Sequence, residues 1–504
     1  MLVDFEYTMG KLYVSYIGGD GRLKMKQYPW KDPAQFEVAS PGEKGEPGFQ
    51  TWDGKPVVKR SVRTPNRYAV ADFMDSLPAA DQAEIFDFQE PKIYFMDIET
   101  EVVDGFPEAV EAATRVLNVA IVCDQKVLVM GLQPLDTDTE GKLQTDTNKY
   151  FEKFGKNYQV KYLSFATEYA MLHAIFNKYI PLMPVLTGWN FVEYDWVYLC
   201  NRARNMGINI NVASPTGKLQ KVWSKNLEKP KNAELPMHRV VVDYMELYSK
   251  WDTSVKIKES TSLDFVSSKV LGTKKLTYEG TIQQMHDNDY YKYTLYNIID
   301  TILVQLIHER NKYISIMLGV SELCRVRMVD AYSTIRTTEG VLRRNMREKL
   351  GIVFVRNIAD DENDSNGEAV ATKLLEGGWV KDPVTGMNMW VAVLDFASLY
   401  PTTMRQNNIA PESFKGMKIN AHQCIYQGNV REIDPTDIVV VSGAVFRNEN
   451  SVTKQTLTDV YFGRTEYKGK MKVANIELNE VKVELSDVED ELILRGLLKS
   501  KSEK

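Results

Sequence analysis

The residues of this chain that could do chemistry are carboxylates set inside apolar runs. Ile93-Tyr94-Phe95-Met96-Asp97-Ile98-Glu99 reads as a buried strand with acids at i and i+2. Strand side chains alternate, so Asp97 and Glu99 share one face while Ile98 turns into the core. Two like charges on one face raise each other's pKa unless a cation sits between them. Asp195 follows a strand end, Leu186-Thr187-Gly188-Trp189-Asn190, and opens an amphipathic helix, Trp196 to Met206, that Gly207 stops. Capping that helix is the plain alternative role for Asp195. Tyr291 to Arg310 is a helical pattern in which Tyr296 and Asp300 share a face. An aspartate among isoleucines is expensive unless something compensates it. Later, Trp390 to Thr402 reads W-V-A-V-L-D-F-A-S-L-Y-P-T. Val391, Val393 and Leu394 predict a buried strand that Asp395 closes, and Tyr400-Pro401 ends it. The usual partner of such an acid is a metal ion.

Placing these groups takes several domains. A chain of 504 residues, 44% hydrophobic and 26% charged, holds two to four domains of ordinary globular composition. No run of eighteen apolar residues suggests a membrane span, and M-L-V-D-F-E-Y lacks the basic start of a signal peptide. Cys123, Cys200, Cys324 and Cys424 lie far apart, which argues against structural zinc and for reduced thiols in a cytosolic compartment. A net charge of -6 gives no global sign of nucleic-acid binding, so any such surface is local. One local candidate is the stretch from Lys218 to Lys258. Its lysines (Lys229 and Lys231 among them) interleave with Trp223, Tyr244, Tyr248 and Trp251, a composition suited to a single-stranded DNA track or to a solvated face.

Taken together, the motifs resemble a known family. D-F-A-S-L-Y-P-T is similar to the first palm motif of family B DNA polymerases, D-x-x-S-L-Y-P-S, with Thr402 where serine is usual. D-I-E at Asp97, N-F-V-E-Y-D at Asn190 and Y-N-I-I-D at Tyr296 resemble the D-x-E, N-x-x-x-[FY]-D and Y-x-x-x-D signatures of proofreading 3′–5′ exonucleases with an RNase H-like fold. Y-N-I-I-D and L-Y-P-T-T-M-R-Q-N-N-I look most like the T-even-type bacteriophage enzymes. The resemblance implies that Asp97, Glu99, Asp195 and Asp300 hold two divalent ions, typically about 3.5–4 Å apart, while Tyr296 orients the attacking water. Hard oxygen ligands favour magnesium or manganese over zinc. It also implies that Asp395 and the Phe396 carbonyl bind metal and that Ser398, Leu399 and Tyr400 meet the incoming nucleotide, Tyr400 lying under its sugar. Arg464 and Lys468 would grip its triphosphate, and Asn190, Gly377 and Gly378 would approach DNA.

The implied class is α/β, an RNase H-like exonuclease inserted in a β-rich N-terminal domain and followed by a partial palm and partial helical fingers. The expected bounds are 1–90 for the N-terminal domain, 91–311 for the exonuclease and 312–355 for a return to the N-terminal domain. The partial palm takes 356–452 and the start of the fingers 453–504. A β-hairpin that moves primer ends would use Val240-Val241-Val242 as a strand. Expected partners are primer–template DNA, a single-stranded 3′ end, dNTPs and a sliding clamp, in the cytoplasm of a phage-infected cell. Two further family motifs, the fingers K-x-x-x-N-S-x-Y-G and the palm D-T-D-S, do not occur in the sequence. Asp395 alone cannot neutralise two divalent ions. Four readings stand open: the N-terminal subunit of a split polymerase completed by a second chain, a fragment, a stand-alone exonuclease with a vestigial palm, or a DNA- or RNA-binding regulator. The first is favoured, because an exposed fingers tip tolerates a chain break best.

Overall fold

The computed structural model describes residues 1–103, 105–221, 233–252, 260–355, 380–396, 398–417, 434, 436–440 and 442–494. The chain divides into two compact units, Met1–Gln35 with Ser61–Val341, and Phe36–Arg60 with Leu342–Lys504.

The first unit opens on an antiparallel meander, β1 (Leu2–Thr8), β2 (Lys11–Ile17) and β3 (Leu23–Pro29). Next in the chain, β4 (Ala34–Val38) and β5 (Val57–Ser61) pair with each other and belong mostly to the second unit. Helices α1 (Arg67–Asp75) and α2 (Ala79–Phe86) bury Val70, Met74 and Ile85 against Leu12, Val14 and Tyr16 of the meander.

The site rests on the sheet that follows. Its antiparallel centre is β6 (Ile93–Thr100), β7 (Val116–Cys123) and β8 (Lys126–Gly131). Helix α3 (Thr137–Tyr150) leads to β9 (Gln159–Ser164), and α4 (Glu168–Ala174) leads to β10 (Val185–Gly188). Next come α5 (Asp195–Asn205), a small hairpin of β11 (Leu219–Lys221) and β12 (Glu234–Pro236), and β13 (Val240–Asp243). Helices α6 (Tyr244–Trp251), α7 (Leu263–Leu271), α8 (Ile282–Asn288) and α9 (Tyr290–Asn311) complete this part. The strand order is β13-β10-β6-β7-β8-β9, parallel from β13 to β6 and from β8 to β9.

Alternation along β6 divides its side chains between two cores. Phe95 packs with Ile298, Ile299 and Ile302 of α9, whereas Met96 and Ile98 join Trp196, Val197 and Leu199 of α5. Asp97 and Glu99 therefore lie on the α9 side, as the i, i+2 spacing predicts. Val240-Val241-Val242 differs from expectation. It is a sheet strand parallel to β10, and the hairpin is β11–β12, with Lys221 opposite Glu234. Val240 and Val241 point to opposite faces and are both buried, as suits a covered sheet strand rather than a projecting hairpin.

Beyond α9, α10 (Tyr313–Cys324) and the turn after it return to the first strands, where Arg327 lies 3.4 Å from Asp4. Helix α11 (Thr334–Leu350) runs on into the residues of the second unit. That unit holds α12 (Leu399–Gln406), the small sheet β14 (Phe414–Met417), β15 (Ile438–Val439) and β16 (Ala444–Phe446), and the long α13 (Val452–Leu494). Within it, Ile438–Val439 and Ala444–Phe446 are two short strands paired antiparallel. The buried strand expected from Val391 to Asp395 is exposed coil, with Leu394 96% exposed. A strand forms only when neighbours take its N–H and C=O groups, and among the described residues no strand pairs with this segment.

Candidate active site

Three elements bring the first set of acids together. β6 supplies Asp97 and Glu99, the first turn of α5 supplies Asp195, and α9 supplies Tyr296 and Asp300 one turn apart. The Asp195 carboxylate accepts the Ile98 N–H at 3.0 Å, which fastens the start of α5 to the strand between the two acids. Glu99, Asp195 and Asp300 are buried and Asp97 is half-buried. Burial and then the Asp300 charge push Asp97 up to about 7, against the pull of Lys275. Burial, Asp97 and Asp300 raise Glu99 well above the carboxylate range. Burial and Asp97 do the same to Asp195, although the Ile98 N–H opposes them. Burial also raises Asp300, with Lys275 opposing. Carboxyls raised this way by one another are short of positive charge.

Lys275 supplies part of it. Its Nζ lies 2.5 Å from Asp300 Oδ2 and 3.1 Å from the Tyr296 hydroxyl. Burial works against the ammonium charge, but Asp300, Tyr296 and Asp97 outweigh it and raise the lysine's pKa. Its loop is held by α7: Gly272 ends that helix in the left-handed conformation, and the Lys275 N–H donates to Asp264 at 2.9 Å. Sequence reasoning missed Lys275, and no local signal marks it among the neighbouring lysines. One lysine does not meet the demand. The other oxygen of Asp300, Oδ1, is buried with no hydrogen-bond partner among the described residues. Among the described residues, no three Asp, Glu, His or Cys side chains as placed enclose an ion. An unpartnered buried oxygen amid pKa-raised carboxylates is nevertheless the donor set a hard divalent cation suits.

The loop leading to Asp195 is tightly made. At Gly188 a Cβ would stand 2.3 Å from the Met96 carbonyl of β6, so only glycine lets β10 end there. Asn190 takes a positive φ of 59°, and its carbonyl accepts the Tyr194 N–H at 3.1 Å. Asp243, at the end of β13, accepts the Val192 N–H at 3.2 Å. Tyr194 reaches Thr100, beside Glu99, at 3.3 Å, and Phe106 leans on its ring at 4.8 Å while 75% exposed. Sequence reasoning passed over Phe106, an exposed ring against Tyr194, the residue before Asp195.

The second set of candidates lies in the second unit. Asp395, Phe396, Leu399 and Tyr400 are exposed, so the environment expected to strain Asp395 is absent here. Ser398 precedes α12 with a φ of 54°, and Arg464 Nη1 reaches its Oγ at 3.4 Å, which brings α13 to the D-F-A-S-L-Y-P-T segment. Arg405 of α12 sits 4.5 Å from the Tyr461 ring centre on α13. Lys468 lies one turn beyond Arg464 on α13, which runs unbroken through Gly463 and Gly469 although each weakens a helix by about 1 kcal/mol. Lys229, Lys231, Gly377 and Gly378 lie outside the described residues. Of the other lysines in that stretch, Lys218 is bound to Glu6, and Lys250 to the Tyr332 carbonyl.

These placements coincide with matches to two family models, DNA polymerase family B, exonuclease domain, over residues 70–266 and DNA polymerase family B over residues 324–487. The chain belongs to the family B DNA polymerases, with an exonuclease domain followed by part of a polymerase domain. It is 26% identical over 405 residues to the DNA-directed DNA polymerase of Escherichia phage RB69, an alignment covering 77% of this chain and 43% of that protein. With the enzyme of Enterobacteria phage T4 it shares 24% over 329 residues, 64% of this chain and 35% of the relative. DNA polymerase 1 of Saccharolobus solfataricus matches at 24% over 376 residues, 71% and 38%. The chain spans less than half the length of these curated relatives. Exonuclease and polymerase domains of this family generally use divalent metals, and no helix among the described residues is long and apolar enough to cross a membrane.

Proposed function

We propose that this chain trims single-stranded DNA from its 3′ end as a proofreading nuclease, with two magnesium or manganese ions held by Asp97, Glu99, Asp195 and Asp300. The observation that supports the reading is that acids from β6, α5 and α9 raise one another's pKa values, while Asp300 Oδ1 is buried with no hydrogen-bond partner among the described residues. Such ions, when bound, supply an activated water and neutralise the leaving oxygen. The chain's own residues set the stage. Tyr296 offers a hydroxyl beside the acids to orient water, Lys275 holds Asp300 in place, and Phe106 offers an exposed ring on which an unpaired base can stack. Substituting Asp97→Ala with Glu99→Ala should abolish magnesium-dependent digestion of a labelled single strand, by several orders of magnitude, with folding intact. A correctly folded double variant that digests at the parent rate would refute the assignment.

We further infer that Asp395, the Phe396 carbonyl, Ser398, Leu399, Tyr400, Arg464 and Lys468 form one side of a polymerase site completed by a second chain carrying the missing motifs. The exposed segment from Val380 to Phe396 favours this over a nuclease with a vestigial palm. Primer–template DNA, dNTPs and a sliding clamp are the corresponding partners, in the cytoplasm of an infected host cell, and the domain bounds set out from the sequence belong to the same proposal. A binding-only regulator is disfavoured, because clustered acids repel phosphates unless cations are bound.

A further inference from the structure

Helix α9 carries a second stripe beside its Tyr296–Asp300 stripe. Tyr290, Thr294, Asn297 and Thr301 recur at helical spacing along one side. Asn297 and Thr301 each follow a candidate site residue by one position, so this stripe lies about 100° around the helix from it. Opposite it, Glu99, Asn118 and Gly131 are registered neighbours across β6, β7 and β8. The fully buried Asn118 amide donates to Thr294 at 3.2 Å and to the Tyr290 hydroxyl at 3.4 Å. Its carbonyl oxygen accepts from Asn297 Nδ2 at 3.3 Å. Thr301 donates to the Asn297 carbonyl at 2.8 Å. The Tyr290 hydroxyl meets that of Tyr162 at 2.9 Å, and Tyr162 donates to the Gln133 carbonyl at 2.6 Å. A Cβ at Gly131 would stand 2.2 Å and 2.3 Å from the two hydroxyls, so the bare strand there is what lets them meet.

We propose that Asn118 and Asn297 are positioning residues for the nuclease, a pin that fixes the rotation and height of α9 over β6. Apolar contacts such as Phe95 against Ile298 and Ile302 are non-directional and tolerate small slips. Buried amides do not: each donor must face an acceptor or bear the cost of desolvation alone. A slip of one residue turns α9 by about 100° and shifts it about 1.5 Å, stranding both amides. It would also carry Asp300 and Tyr296 away from Asp97 and Glu99. Neither asparagine meets DNA or ions, and both act through the residues beside them, Tyr296 on the helix and Glu99 on the strand.

The inference rests on the nuclease reading, and its test separates the two. Asn118→Leu, Asn297→Leu and the double variant, in the full chain, are compared with the parent in magnesium-dependent digestion and in manganese binding by calorimetry. If the pin works as described, kcat falls about 10–100-fold in each single variant while KM for the oligonucleotide is little changed, and manganese binds more weakly. The double variant is no slower than the slower single one, because the same pin is broken once. Asn118→Ser and Asn297→Ser replace any leucine variant that does not melt cooperatively. Folded variants with parental kcat and manganese affinity, or losses that multiply in the double variant, would overturn the proposal. Should the parent show no digestion, the nuclease reading fails, and undiminished manganese binding by the variants would overturn the pin as well.

Discussion

Asp97 and Glu99 tie the stability of this chain to pH. With folded-state pKa values raised above those of the unfolded chain, both hold protons in the folded state that the unfolded chain gives up. Their favourable contribution is complete near pH 4 and declines as pH rises towards 7, further still for Glu99. Replacing them with Asn and Gln removes the decline. In EDTA, Asp97→Asn with Glu99→Gln should melt like the parent near pH 4 and at progressively higher temperature than the parent up to pH 8. Parallel melting curves across that range would show that the two acids are not strained. Lys275 makes a companion case. Lys275→Met leaves Asp300 buried beside like charges, so Tm without metal should drop, and magnesium should raise it by more than it raises the parent's. An identical magnesium response in both would mean that the ammonium and the ions do not serve the same carboxylates.

Much at the level of elements was legible in the sequence. The period-2 placement of Asp97 and Glu99 gave their face, and Gly207 marked the end of α5, turning left-handed just past it with a φ of 77°. Three valines in a row, by contrast, suit a hairpin or a sheet strand equally, and only the pairing of β13 with β10 decides. Val391 to Leu394 has the composition of a strand, but composition supplies no neighbour to pair with. Lys275 and the Tyr290–Thr301 stripe were invisible for a related reason, because their meaning lies in strands far away in the chain. The hairpin raises a question of its own. Lys229 and Lys231 fall between β11 and β12 in the sequence. If those two lysines touch phosphates, changing both to Ala should flatten the salt dependence of DNA binding by roughly one log–log unit per lost contact. An unaltered slope would assign them to solvent.

For the molecule as a whole, the second unit leaves Asp395, Phe396, Leu399 and Tyr400 of its family B palm motif exposed. From Val380 to Phe396 the chain is exposed, and along α13 so are Tyr467, Met471, Leu478 and Val481. Apolar surface of that extent asks for a cover. The chain alone should therefore fail to extend a primer in the presence of dNTPs and magnesium. Adding a polypeptide that bears the fingers K-x-x-x-N-S-x-Y-G and palm D-T-D-S motifs should restore synthesis. Vigorous extension by the single chain would refute the two-chain model, and a lack of rescue by any such polypeptide would favour the nuclease alone.

The way the acids are shared among β6, α5 and α9 also bears on synthesis at the ribosome. Asp97 is made early, yet its site stays open until Tyr290–Asn311 has emerged and can close over the sheet. Contacts that distant in sequence form late, since a long loop must close before they stabilise anything. A nascent chain passes through a long interval in which its acids are present but cannot act together. On the nuclease reading, activity would arise only once α9 has closed over the completed sheet, and a chain stalled before α9 would be unable to cut DNA.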